Sequence, residues 1–212
     1  MTESVHPYAY SVTPAAYLER ARTLIIEDNA RSLFYAALEL RCFVEARQDL
    51  YLEAQKEYVR SVPRAWKIGA QGKALDGVFR SERIQHISWY VDGELILDTY
   101  HIPVSAALRN NAEKLGELLH AQEVHRQFDH NWWSETRQKI IQTYELAWTC
   151  NKGSLLSPMF LHDGRTVGKM MLNVETSEKF QPLMKEGTAG IMKVDYPENL
   201  PIDWTSDLAA FQ

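Results

Sequence analysis

Two short apolar runs, Ile87-Ser88-Trp89-Tyr90-Val91 and Glu94-Leu95-Ile96-Leu97-Asp98, flank the dipeptide Asp92-Gly93. Asp-Gly is the strongest short-range hairpin signal, because the tight turn that matches the twist of two paired strands needs positive φ at both of its central residues. On either side of this hairpin the apolar residues recur at helical spacing, so the chain has to place a sheet inside a mainly helical framework. The expected fold class is therefore α+β: a helical bundle with a small antiparallel β-sheet formed by hairpins.

The helical reading begins at residue 14. Thr13-Pro14 offers an N-cap and a first-turn proline, and Glu27-Asp28-Asn29 interrupts before a second, longer helix starts. Counted from Leu33 at 100° per residue, Ala37, Leu40, Val44, Tyr51 and Tyr58 fall within about 40° of one line, with Glu39, Glu53 and Glu57 on the other side. Pro63 is expected to close this helix. Beyond the hairpin, Pro103 is expected to start a helix with Leu108, Ala112, Leu115 and Leu119 inward and Glu113, Glu117, His120 and Val124 outward. A further helix runs from Trp132 or Trp133 through Ile140, Tyr144 and Trp148 to Asn151-Lys152-Gly153, where lysine and glycine suit a C-terminus. After Gly153 the pattern turns to strands. Residues 155–161 and 166–174 flank His162-Asp163-Gly164-Arg165 as a second hairpin, Pro158 points to an edge or bulge, and 190–196 reads as another strand. In the tail, Leu200, Ile202 and Trp204 are candidate anchors. Residues 1–150 thus read as a bundle with an inserted hairpin near 87–98, and 151–212 as a small β-rich extension packed on the same core.

The segments Tyr17-Leu18-Glu19-Arg20-Ala21-Arg22-Thr23-Leu24-Ile25 and Ala30-Arg31-Ser32-Leu33-Phe34-Tyr35-Ala36-Ala37-Leu38-Glu39-Leu40-Arg41 resemble the opening helix pair of HEPN-like domains. There, a small polar break leads into an aromatic-plus-alanine helix. The resemblance implies a helical bundle that often forms homodimers and serves prokaryotic toxin–antitoxin, phage-defence or nucleotidyltransferase-associated systems, some members cleaving RNA. The expected function is a non-catalytic or weakly catalytic HEPN-like protein acting through protein contacts. The alternative is a diverged metal-independent ribonuclease, and RNA is a partner under that alternative alone.

HEPN ribonucleases carry an Arg followed, after four to six residues, by a His on a late helix. Arg80 and His86 have that spacing but precede a strand-like segment, and Arg126 and His130 fall one residue short while suiting one helical face. These four are the catalytic candidates. Glu113, Glu117 and His120 form a single Glu-x-x-His with a further carboxylate, the motif that carboxylate-bridged di-iron bundles use twice, so they are the metal candidates in a chain for which no cofactor is expected. His120, His125 and His130 recur every five residues, a spacing that turns successive side chains apart by about 140°. Gly187-Thr188-Ala189-Gly190 lacks the ending of a phosphate-binding loop and reads as a turn, and no nucleophile elbow occurs. Of the adjacent Trp132 and Trp133, at most one can be fully in the core.

Net charge is −5 and no quarter of the chain is basic, which argues against binding nucleic acid by bulk phosphate neutralisation. The two cysteines, Cys42 and Cys150, sit in helical contexts and are expected as reduced thiols. Met1-Thr2-Glu3-Ser4-Val5-His6-Pro7 has neither a basic nor an apolar leader region, so a cytoplasmic protein without membrane association is expected.

Overall fold

The computed structural model describes residues 10–57, 67–79, 83–120, 122, 124, 126–128, 131–157, 160–162, 165–167, 171–181, 190–201 and 204. Helix α1 spans Pro14–Glu27 and α2 spans Ala30–Ala54. The Thr13 side chain accepts from the Ala16 N–H at 3.3 Å, and Pro14 occupies the first turn, where its missing N–H costs nothing. Between the helices Asp28 turns left-handed (φ 44°), and Asn29 caps α2 in a reciprocal box with Ser32, each side chain meeting the other's backbone at 3.0 Å. The polar break is therefore a stop and a start placed back to back.

Helices α3 (Ile68–Phe79), α4 (Ala106–Leu118) and α5 (Asn131–Asn151) complete the bundle around α2. Its apolar centre joins Leu18, Ala21 and Ile25 to Leu33, Ala37, Leu40 and Val44, with Leu108, Ala112 and Ile140 from the other helices. Ala36 and Ala37 are fully buried, and side chains this small let neighbouring helices approach closely. Trp133 enters the core against Phe34, with ring centroids 5.6 Å apart, while Trp132 stays half-buried.

Strands β1 (Gln85–Val91) and β2 (Glu94–His101) form the expected hairpin, with Asp92 at φ 51° and Gly93 at φ 85°. The chain continues through β3 (Leu155–Ser157), β4 (Phe160–His162), β5 (Arg165–Val167), β6 (Met171–Leu172), α6 (Val174–Phe180) and β7 (Gly190–Asp195). Strand β7 pairs antiparallel with β1, so the main sheet has the order β2-β1-β7 and joins the middle of the chain to its C-terminal region. The fold is α+β and mainly helical. No helix among the described residues is long and apolar enough to cross a membrane.

Several local expectations are corrected. Helix α2 ends at Ala54, well before Pro63, because the Gln55 N–H turns to the carbonyls of Tyr51 and Leu52 and tightens the last turn; Tyr58 and Pro63 lie outside the described residues. Ser105, not Pro103, starts α4, its side chain accepting from the Leu108 N–H at 3.2 Å, and Leu119 is exposed past the helix end. Glu39 is buried, because Arg20 of α1 reaches it at 3.0 Å and the Tyr10 hydroxyl donates to it at 2.9 Å. The run 155–161 divides into β3, paired with β6, and β4, paired with β5; His162 lies opposite Arg165, while Pro158, Asp163 and Gly164 lie outside the described residues. Two helices went unforeseen. In α3, Ile68, Gln71, Gly72 and Leu75 face inward at helical spacing, but its glycines hide the pattern. A Cβ on Gly72 would come within 2.6 Å of the Arg109 side chain, so that glycine makes room for α4. In α6, Asn173 caps the start by accepting from the Thr176 N–H at 2.9 Å.

Candidate functional site

Of the four catalytic candidates, His86 is the one that the described structure gives a chemical setting. It lies on β1, opposite Tyr100 of β2 and Asp195 of β7, and its ring stacks on Tyr100 at 4.2 Å and 12°. Its Nε2 lies 2.5 Å from Asp98 Oδ1 and 3.3 Å from Ser88 Oγ, and the Ser88 hydroxyl donates to the same carboxylate oxygen at 3.1 Å. Trp204 meets Tyr100 edge to face, with ring centroids 4.8 Å apart. Serine, histidine and aspartate are thus together on one face of a sheet, but not as a nucleophilic triad. Such a triad needs the carboxylate on one ring nitrogen and the serine on the other, so that the second nitrogen can take the serine proton. Here both groups converge on Nε2, and a proton on Nε2 goes to Asp98. With the Nε2 proton given to Asp98, Ser88 is left without a base.

Arg126 precedes α5, which begins at Asn131, so the expected shared helical face of Arg126 and His130 is corrected. The Arg126 guanidinium lies 4.5 Å over the Trp132 ring and donates to the Val124 carbonyl at 3.1 Å, contacts that hold it against the approach to α5. Arg80, His125 and His130 lie outside the described residues. The metal candidates do not share one helix, because α4 ends at Leu118 and His120 lies beyond its C-cap, Leu119. Glu113, Glu117 and His120 are exposed, and among the described residues no three His, Cys, Asp or Glu side chains converge as a metal-binding set.

A second polar centre lies where the bundle meets the sheet. Arg47 is 3% exposed. Its Nε donates to the Tyr51 hydroxyl at 3.1 Å, and its Nη2 donates to the carbonyls of Cys150, at 3.2 Å, and Gly153. The Tyr51 hydroxyl passes its own proton to the Ile102 carbonyl at 2.6 Å, an oxygen that also accepts from Cys150 Sγ at 3.5 Å. No carboxylate pairs with Arg47 among the described residues. Its charge sits instead at the C-terminus of α5, where the last carbonyls and the negative end of the helix dipole face it.

Beside this group, His101 is buried between Tyr51 and Phe79, with centroids at 5.1 Å and 4.9 Å. Its Nδ1 lies 3.0 Å from the Leu155 carbonyl, which can only accept, so Nδ1 carries the proton and Nε2 is left bare and unpartnered. Burial pulls the His101 pKa down to about 4, the Leu155 bond opposing it. Burial also pushes up the Tyr51 hydroxyl and the Cys150 thiol, both against the nearby Arg47 charge. Cys42 is likewise raised, by burial and then by Glu45 and Glu39, so neither free thiol is a poised thiolate.

The sequence reading passed over Arg47 and His101. Arg47 lies about 40° from the Leu33 line, between Val44 and Tyr51, and a charge on a buried arc was the available signal. His101 shares the inward face of β2 with Leu97 and Thr99, by period two.

Comparison with protein-family models, with curated proteins and with solved structures finds no match for the chain.

Proposed function

We propose that this chain acts through protein contacts rather than by catalysis, as a cytoplasmic, non-catalytic or weakly catalytic HEPN-like module that forms a homodimer, in keeping with a prokaryotic phage-defence or toxin–antitoxin component. The observation that carries this reading is the outward face of α2. On the helix that organises the core, Tyr35 and Leu38 remain 48% and 37% exposed. Large apolar side chains held in water on a rigid element are what contact surfaces are made of. The polar centres support the same reading, since Arg47 spends its donors on its own chain and Ser88 has no base.

The test pairs a mass measurement with an RNA-cleavage assay on the purified chain. Dimer mass by light scattering, with RNA left intact, is expected. Cleavage that disappears in His86→Ala, or in both Arg126→Ala and His130→Ala with folding retained, would overturn it in favour of the ribonuclease alternative.

A further inference from the structure

We infer that two copies of this chain pair through α2, antiparallel, about a two-fold axis at Cys42, an inference that rests on the protein-contact reading above. The residues on the outward arc of α2 are Arg31, Tyr35, Leu38, Cys42, Ala46, Asp49 and Glu53, spaced by three or four. Arg31, Tyr35, Leu38 and Glu53 are exposed, and Cys42, Ala46 and Asp49 are half-buried. The two ends of this arc carry opposite charge. The first turn has Arg31, whose guanidinium leans on the Tyr35 ring at 5.6 Å, and the last two turns have Asp49 and Glu53.

A two-fold axis makes a surface meet itself, so the residue a given distance before the axis meets the residue the same distance after it. Centred on Cys42, Leu38 meets Ala46 of the second copy, Tyr35 meets Asp49, and Arg31 meets Glu53. Each pairing is favourable: a large apolar group against a small one, a phenol donor against a carboxylate, and a cation against an anion, with Glu53 sharing its carboxylate between the incoming Arg31 and Lys56 of its own chain at 2.6 Å. Burial raises the Asp49 carboxyl while its bond from Gln71 opposes, so this carboxylate gains from a further donor. The side pair Arg41–Glu45, at 3.0 Å, flanks the arc. A helix placed parallel would set Arg31 against Arg31 and Glu53 against Glu53, so the charge pattern selects the antiparallel register.

The test is cysteine-specific crosslinking of the purified full chain with a short bis-maleimide, beside light scattering. Cys150 is buried, so Cys42 is the reactive site. The expected result is a crosslinked dimer that is absent in Cys42→Ser. Leu38→Glu should weaken dimerisation at least tenfold, with an unchanged circular dichroism spectrum. Arg31→Glu and Glu53→Arg should each weaken it, and the two together should restore it. A dimer that does not crosslink through Cys42, or an unrestored double swap, overturns the α2 register and leaves the protein-contact reading standing. A monomer at about 24.5 kDa overturns the pairing itself. The protein-contact reading falls separately, through the RNA-cleavage assay.

Discussion

The two halves of α2 are built from the same periodicity and solve different problems. From Leu33 to Val44 the residues of the buried arc are apolar apart from Glu39, which Arg20 and Tyr10 meet at the edge, and they pack on the apolar faces of α1, α4 and α5. From Arg47 to Gln55 the arc continues in phase but becomes Arg47, Gln48, Tyr51, Leu52 and Gln55, all buried. The second half meets the ends of other elements rather than their faces. The C-terminus of α5, the start of β3 and the segment after β2 all present backbone carbonyls there, and those of Ile102, Cys150 and Gly153 are met by side chains of α2 or its partners. Where elements pack side by side, apolar side chains suffice; where they end against a helix, that helix must bring donors.

The largest expected effect breaks the polar half. Arg47→Met keeps much of the volume but removes the donors to Cys150 and Gly153 and the partner of the Tyr51 hydroxyl. The Gly153 carbonyl loses its side-chain donor, the Cys150 carbonyl keeps only the Gly153 N–H at 3.3 Å, and each lost bond from a buried charged donor costs about 1.5–3 kcal/mol, so the loss should be about 3–5 kcal/mol by urea denaturation at neutral pH. A neutral Arg47→Met would show that the end of α5 finds other donors and that the two halves do not differ in this respect.

His101 gives the next effect, through pH. Its pKa is about 4 when folded, against 6.5 ordinarily, so below pH 6.5 the unfolded chain takes up a proton that the folded chain refuses. Stability is then fully present above pH 6.5 and falls as pH drops towards 4, by about 3 kcal/mol at most. Glu45 and Asp49, raised by burial, act in the opposite direction near the lower end of this window. The measurement is therefore the difference between the chain and His101→Gln, taken at pH 7.5 and at pH 5. An identical acid response in both would remove His101 as the cause.

What the sequence made legible follows the same division. The Glu27-Asp28-Asn29 break, the Thr13 cap and the Asp92-Gly93 turn were readable because each is decided by residues within four positions of it. The burial of Glu39 was not, since it depends on Arg20 and Tyr10 arriving from α1 and the segment before it. Helix α3 stayed hidden because two of its glycines, Gly69 and Gly72, answer to Glu113 and Arg109 of α4, a requirement invisible from within α3 itself. At the candidate site, the sequence offered His86 by spacing to Arg80, whereas its setting comes from Asp98 and Tyr100 on the neighbouring strand. Arg47 was overlooked because the carbonyls it serves are 103 and 106 residues away.

A smaller effect probes the apolar half. Ala37 is fully buried between Leu33 and Leu40, and the space for its methyl group is set by the close approach of neighbouring helices. Ala37→Leu should overpack that crossing and cost about 1–3 kcal/mol. Glu19→Ala, on the exposed side of α1, should stay within about 0.5 kcal/mol. Equal denaturation midpoints for Ala37→Leu and the unchanged chain would mean that the apolar half is loosely packed.

The smallest effect asks whether every polar group in the second half is needed. Gln55 donates to Ser157 Oγ at 2.5 Å, but its Oε1 is buried with no partner. A half-satisfied amide returns about one hydrogen bond and forfeits the hydration of its oxygen, two quantities of similar size. Removing both partners together, as Gln55→Leu with Ser157→Ala, should therefore change stability by less than about 1 kcal/mol in either direction. Gln55→Leu alone should be worse than the pair, because it strands the Ser157 hydroxyl in the interior. A double variant as damaged as Arg47→Met would mean that the whole polar arc acts as one network; a near-neutral one confines the requirement for polarity to the donors that face the ends of other elements.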